Sequence, residues 1–226
     1  MAFYQSTATI QDWTRSEKFH NSFLLPKDDV LDSVTKHSKD SGLPDIAVSE
    51  AQGKFLNLLA RSIGAKRILE IGTLGGFSTI HFARAVPADG NVTTLEFDPL
   101  HAKVASENFK RAGVENKITL HVGRAADSLV TLHPEKKFDL VFIDADKSSN
   151  VTYFTEAKRL IRSGGVIIVD NAVYEGKVAD PEVKDSWAIG TRDLLSFLKD
   201  DKEVEATTIG TAGVRGFDGF IYAIRK

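Results

Sequence analysis

From about Lys66 onward, brief apolar runs alternate with longer amphipathic stretches. The apolar runs are Arg67–Ile71, Asn91–Glu96, Lys117–Val122, Phe138–Asp144 and Gly165–Asp170. Each is rich in Ile, Val, Leu or Phe and is followed by polar residues or glycine. That is the pattern of strands buried on both faces of a parallel sheet. Between them, Ser78–Val86, Pro99–Gly113 and Ser149–Ser163 carry apolar residues at helical spacing. Proline opens the second of these and Gly113 closes it, while Gly164-Gly165 should stop the third. Upstream, Lys27–Ser41 and Ser49–Ile63 also read as helices.

The rhythm changes after Asp170. A loop from Asn171 to about Asp185 leads to a helix near Trp187–Leu198, and two strands follow, near Glu203–Ile209 and Phe217–Ile224. Their connection, Gly210–Gly216, is too short for a crossover helix, so they should pair antiparallel. The pattern predicts a doubly wound, Rossmann-like α/β fold. Its sheet should be mostly parallel, with helices on both faces and an antiparallel C-terminal strand. A single domain over 1–226 is expected, with a helical N-terminal segment at about 1–42. No internal repeat is visible.

Composition narrows the classes. The 226 residues are 42% hydrophobic and 27% charged, with a net charge of -2, so no overall field draws the chain to nucleic acid or an anionic membrane. There is no cysteine, which removes disulfides, zinc–thiolate sites and iron–sulfur clusters. No apolar run approaches the roughly 20 residues of a membrane span, and the N-terminus lacks the apolar stretch of a signal peptide. A cytoplasmic protein is the expectation.

Open α/β sheets bind ligands at the carboxyl ends of their strands. Here those ends are Glu70, Glu96, Gly123, Asp144 and Asp170. The first strand runs into Glu70-Ile71-Gly72-Thr73-Leu74-Gly75-Gly76-Phe77-Ser78, where glycines allow a tight turn and close approach of a ligand to the main chain. A dinucleotide site would show G-x-G-x-x-G, and this turn has one residue too many between its first two glycines. Glu70 suits an ammonium better than a pyrophosphate. Ser78, near the next helix start, can help hold a carboxylate, and Glu96 can accept hydrogen bonds from ribose hydroxyls. A nucleoside with an amino-acid tail and no phosphate describes S-adenosylmethionine (SAM).

The fourth strand ends in Asp144-Ala145-Asp146-Lys147 and the fifth in Asp170-Asn171. If the two ends are neighbours, Asp144, Asp170 and the amide oxygen of Asn171 form a hard oxygen cluster. Such a set suits Mg²⁺, with Mn²⁺ or Ca²⁺ as alternatives, and leaves positions for water or substrate. Asp and Asn are also common helix N-caps, which is the competing account of Asp146 and Asn171. Lys147 lies within a turn of Asp144. Beside a cation its pKa would fall, making it a candidate base for a phenol, whose own pKa near 10 makes it a poor nucleophile.

Together, ILEIGTLGGFST, IDADK and VDNAVYEGKV resemble the cation-dependent class I O-methyltransferases, the group of catechol and caffeoyl-CoA O-methyltransferases. The resemblance runs from about Leu43 to the C-terminus. It implies methyl transfer from SAM to one hydroxyl of a vicinal-dihydroxy aromatic acceptor. Val48 and Ser78 would meet the methionine carboxylate; Glu70, Gly72 and Thr73, in the turn that includes Gly76, would hold the amino-acid portion. Glu96 would take the ribose and Ala125 the adenine, and Asp144 would also lie near SAM. Asp144, Asp170 and Asn171 would bind the metal, with Lys147 as base. A homodimer is implied as well.

Two positions depart from the family. Asn150 stands where a tyrosine is frequent, and Tyr174 where the plant enzymes carry tryptophan. Both would border the acceptor, with Trp187 and Arg192 as further candidates to frame it, although core packing and a surface ion pair explain that last pair as well. The N-terminal aromatics Phe3, Tyr4, Trp13, Phe19 and Phe23 would either wall the acceptor site, join a dimer interface or pack onto the domain. Competing functions are a phosphohydrolase built on Asp144-x-Asp146, a nicotinamide-dependent oxidoreductase, and a non-catalytic SAM-binding module. The first wants its Asp pair on the first strand, and the second is disfavoured by the glycine spacing.

Overall fold

A computed structural model describes residues 7–226; Phe3 and Tyr4 lie outside them. Three helices, α1 (Ile10–Leu24), α2 (Asp29–Asp40) and α3 (Glu50–Ser62), precede the sheet. The alternating part follows: β1 (Arg67–Ile71), α4 (Phe77–Ala85), β2 (Asn91–Glu96), α5 (Pro99–Arg111), β3 (Ile118–Val122), α6 (Ala125–Thr131), β4 (Phe138–Ile143), α7 (Asn150–Leu160) and β5 (Ile161–Val169). The chain ends with α8 (Ser186–Lys199), β6 (Val204–Gly213) and β7 (Gly216–Arg225).

The sheet has seven strands in the order β3-β2-β1-β4-β5-β7-β6. The first five pair in parallel, and β7 runs antiparallel to both β5 and β6. This is the expected mostly parallel, doubly wound sheet. After β3 the chain returns to lay β4 on the other side of β1, which puts the topological switch point between β1 and β4. Ligands gather at such a point in open α/β sheets.

The period-2 alternation of each strand divides the core. Leu69, Ile71, Val141, Ile143, Ile167 and Val169 face one layer, with Phe154 and Leu160 of α7 and Leu194 of α8. Ile68, Leu140, Phe142 and Ile168 face the other, with Leu56 of α3, Ile80 and Phe82 of α4 and Phe109 of α5. Glu70 falls on this second face, beneath α4. Helix starts follow local chemistry. Asp98 caps α5 by accepting from the Leu100 amide at 2.7 Å, and Pro99 occupies the first turn.

Two boundaries and one short helix differ from the sequence expectation. The connection between β6 and β7 is not Gly210–Gly216 but the turn Val214-Arg215, because Gly210 pairs with Gly219 inside the ladder. Helix α7 ends at Leu160, and Gly164-Gly165 lie within β5, next to a register shift against β4. Tertiary pairing with β4 overrides the helical spacing there. Helix α6 has seven residues, too few to show a period. The N-terminal helix α1 buries no residue fully. It lies against the β6–β7 hairpin, where Glu17 accepts from the Val214 amide at 2.6 Å and Trp13 meets Phe217. No helix among the described residues is long and apolar enough to cross a membrane.

Candidate active site

A cavity of about 1640 Å³ opens over the carboxyl ends of β1, β2, β4 and β5, with α1, α2 and the loop before α3 as its far walls. Of the residues singled out from the sequence, Trp13, Val48, Gly72, Thr73, Ser78, Glu96, Ala125, Asp144, Asp146, Lys147, Asp170, Asn171 and Trp187 line it. Glu70, Gly76, Asn150, Tyr174 and Arg192 do not.

The glycine turn forms one wall. Gly72 has φ +99°, and a Cβ there would lie 2.1 Å from the Asp144 carbonyl oxygen, so only glycine lets the ends of β1 and β4 close together. Glu96 faces this turn from β2. One of its oxygens accepts from the Thr73 amide at 3.1 Å and the Leu74 amide at 2.7 Å, and the other accepts from Asp98 N. A buried carboxylate thereby ties the loop to the end of β2 along the cavity floor.

Glu70 is placed differently from the expectation of direct ligand contact. It is 0% exposed, and its oxygens accept from the hydroxyls of Ser78 at 2.6 Å, Thr94 at 2.7 Å and Thr79. Burial pushes its carboxyl up to about 7, against the pull of those three hydroxyls. Thr73 Oγ1 joins the network through Thr94 at 2.6 Å. Glu70 therefore ties α4 to β1 and β2 underneath the turn. The acid expected for the ligand's ammonium serves as an internal brace, because α4 packs over the face on which period-2 alternation puts it.

The second wall carries charge. Lys147 sits in a short 3-10 turn, Lys147–Ser149, and is only 4% exposed. Its Nζ donates to Asp144 Oδ1 at 2.9 Å and lies 5.5 Å from the centre of the Trp187 ring. Helix α8 presses on this turn: a Cβ at Gly190 would lie 2.1 Å from the Lys147 carbonyl oxygen. Asp170, at the end of β5, is 5% exposed. Burial first, and then the nearby charge of Asp144, push its carboxyl up to about 7, against Lys147, the Asn171 amide and Gln52. A buried acidic site of this kind favours a cation.

Among the described residues no cluster of three or more His, Cys, Asp or Glu side chains is set for a metal. A cation here would be held by two carboxylates and the Asn171 amide oxygen. That donor set is all oxygen, which fits Mg²⁺, Mn²⁺ or Ca²⁺ and not the nitrogen and sulfur ligands typical of zinc.

The remaining candidates have structural work. Asp146 accepts from Tyr153 Oη and from Ser148 Oγ at 2.9 Å. Burial would raise its carboxyl, but hydroxyl donors from Ser149, Tyr153 and Ser148 outweigh it and hold it below the usual range. Asp146 thus ties the turn that carries Lys147 to α7 through side-chain hydroxyls. Arg192 does not frame an acceptor. Its guanidinium donates to the carbonyls of Val178 at 2.8 Å, Val183 at 2.9 Å, Lys177 at 3.1 Å and Asp180, which fastens the long loop after β5 to α8. Tyr174 stacks on Trp187 with ring centres 5.3 Å apart, so it acts on the cavity only through that ring. Asn150 is buried at the start of α7.

Two residues escaped the sequence reading. Gln52 on α3 donates from Nε2 to Asp170 Oδ2 at 2.8 Å. Asp218 on β7 accepts from Asn171 Nδ2 at 2.9 Å. Asp218 had a signal, an acid between glycine-rich neighbours inside an apolar strand, Gly216-Phe217-Asp218-Gly219. Gln52 had none beyond its place one residue before Gly53.

An open α/β sheet with a glycine turn, a buried acid braced against that turn and an acidic cluster at its switch point is the setting of a transferase site. Residues 21–225 match the O-methyltransferase family, and the chain belongs to it. Among its relatives is the catechol O-methyltransferase of Mycobacterium tuberculosis, 47% identical over 208 residues, covering 92% of this chain and 94% of that one. The structure of the O-methyltransferase from Bacillus cereus in complex with S-adenosylhomocysteine superposes with a TM-score of 0.94 at 42% identity, covering 96% of this chain and 100% of that one. The O-methyltransferase TomG from Streptomyces achromogenes, in complex with SAM, gives 0.93 at 41% identity, covering 97% and 100%.

Proposed function

We propose that this chain transfers the methyl group of SAM to one hydroxyl of a vicinal-dihydroxy aromatic acceptor, and that it does so with a bound divalent cation, Mg²⁺ first. The observation that carries this reading is the meeting of Asp144, Asp170, Asn171 and Lys147 in one cavity with Glu96 and the glycine turn. Relatives that bind SAM or its demethylated product, and a relative that acts on catechol, support it.

Glu96 and the backbone at Ala125 would orient the nucleoside, and Val48, Gly72, Thr73 and Ser78 the amino-acid end. Asp144, Asp170 and Asn171 would hold the cation. When bound, it supplies Lewis acidity that lowers the cost of a phenolate. Lys147 Nζ would take the hydroxyl proton as the acceptor oxygen bonds to the methyl carbon and the carbon–sulfur pair returns to sulfur. Trp187 would wall the aromatic acceptor. Holding both reactants in one cavity supplies much of the remaining acceleration.

The test is transfer from labelled SAM to a panel of catechols, flavonoids and their monohydroxy analogues, with Mg²⁺ and with EDTA. Transfer that needs both the metal and two adjacent hydroxyls is the expected result. Transfer that persists in EDTA would overturn the cation's role and keep that of SAM.

A further inference from the structure

Asn171 is the weakest link of the oxygen cluster. A carboxylate offers a cation an oxygen whichever way it turns, but an amide offers oxygen at one end and N–H donors at the other. Something must decide which end faces the cavity. The backbone sets the residue's place but not its amide: Asn171 sits at φ +57°, a left-handed conformation that asparagine tolerates better than most residues.

The deciding partner is Asp218. Antiparallel pairing carries β7 past the end of β5, with Val169 opposite Ile221 and the Ala172 amide donating to Gly219 O at 2.7 Å. This sets the Asp218 carboxylate beneath the turn that leaves β5. Its Oδ1 accepts from the amides of Tyr174 and Gly219, both at 2.8 Å, and of Val173 at 3.2 Å. Its Oδ2 is left for Asn171 Nδ2 at 2.9 Å. An ionised carboxylate only accepts, so the N–H end of Asn171 is drawn to it and the oxygen end is left for the cavity that both residues line.

We propose that Asp218 is a positioning residue for cation binding: it orients the Asn171 amide so that its oxygen, and not its nitrogen, is presented beside Asp144 and Asp170. This rests on the cation reading given above. Asp218 itself touches neither acceptor nor cation in this scheme. Partners of this kind, one step removed from a metal, are worth roughly 10–100-fold in its affinity.

The test is equilibrium Mn²⁺ binding by the whole protein, followed by electron paramagnetic resonance of the free ion, with SAM affinity measured in parallel by calorimetry. Asp218→Asn offers Asn171 an amide in place of an acceptor-only group. Its Mn²⁺ Kd should rise at least tenfold while its SAM Kd stays within twofold. In the Asn171→Asp background, where residue 171 offers an oxygen whichever way it turns, Asp218→Asn should no longer weaken Mn²⁺ binding, whereas a purely structural role for Asp218 would cost the same in both backgrounds. Unchanged Mn²⁺ affinity in Asp218→Asn overturns the proposal. So does equal weakening of Mn²⁺ and SAM binding, or a loss of Mn²⁺ affinity that is the same with Asn and with Asp at position 171. Failure of the unaltered protein to bind Mn²⁺ would overturn the cation reading itself, and this proposal with it.

Discussion

Gln52 and Asp170 are 118 positions apart in the chain, yet Gln52 Nε2 donates to Asp170 Oδ2 at 2.8 Å. The bond joins α3, which precedes the whole sheet, to the end of its fifth strand. It restrains a buried carboxylate whose other oxygen accepts from the Asn171 amide at 2.9 Å. Replacing Gln52 by Leu should leave Asp170 free to turn away from Asp144. Efficiency of methyl transfer should fall roughly tenfold, the lower range for a group supporting a metal ligand, while SAM affinity stays within twofold. Steady-state kinetics beside calorimetry check this, and unaltered kcat/KM would show that the bond is incidental.

Glu70 makes stability depend on pH. Its folded pKa is raised from 4.5 to about 7 by burial, so the folded state prefers the neutral acid. Its stabilising contribution is complete below about pH 4.5 and is lost as pH rises through 7. Glu70→Gln stays neutral throughout. The melting temperature of the ligand-free variant, relative to the unaltered protein, should therefore climb between pH 5 and pH 8, by on the order of 5 °C. A constant difference across that range would mean that Glu70 is ionised at all these pH values. Asp170 has the same sign, but it is present in both proteins and leaves the difference unaffected.

Arg192 is a clamp for the loop after β5. Removing its bonds to four carbonyls by Arg192→Met should cost about 2 kcal/mol, since hydrogen bonds from a charged donor are the stronger kind. The acceptor KM should rise more than kcat falls, because the loop carries Tyr174, which backs Trp187. Chemical denaturation with acceptor kinetics tests both halves. Normal stability with a lost kcat would return Arg192 to the role of direct acceptor contact.

Gly190 sets the height of the Lys147 turn. A methyl group there would lie 2.1 Å from the Lys147 carbonyl oxygen, so Gly190→Ala must push α8 and the turn apart. A loss of about 1–3 kcal/mol is expected from such overpacking. Turnover should fall as the Nζ of Lys147 leaves its place beside Asp144, and SAM binding should persist. Wild-type turnover would mean that Lys147 tolerates displacement and is not the base.

The sheet was legible in the sequence because its physics is local. Buried parallel strands must be short apolar runs, and the turns between them need glycine, proline or capping acids within a few residues. The acids at the strand ends, Glu96, Asp144 and Asp170, could be placed at one edge by that rule alone, together with Lys147 one turn on. What the sequence could not decide was which way each side chain would be used. Glu70 is one period-2 step from the cavity, and only the packing of α4 over that face encloses it among Ser78, Thr79 and Thr94. Arg192 was open between framing the acceptor and a surface ion pair, and it is the path of the loop that brings four carbonyls to its guanidinium. Gln52 and Asp218 reach the site from α3 and β7, because strand order sets β7 beside β5 and folds α3 over the same edge. Side-chain periodicity is written within a few residues, whereas these partners are chosen by crossovers that span the chain, and those exist only once the sheet has formed.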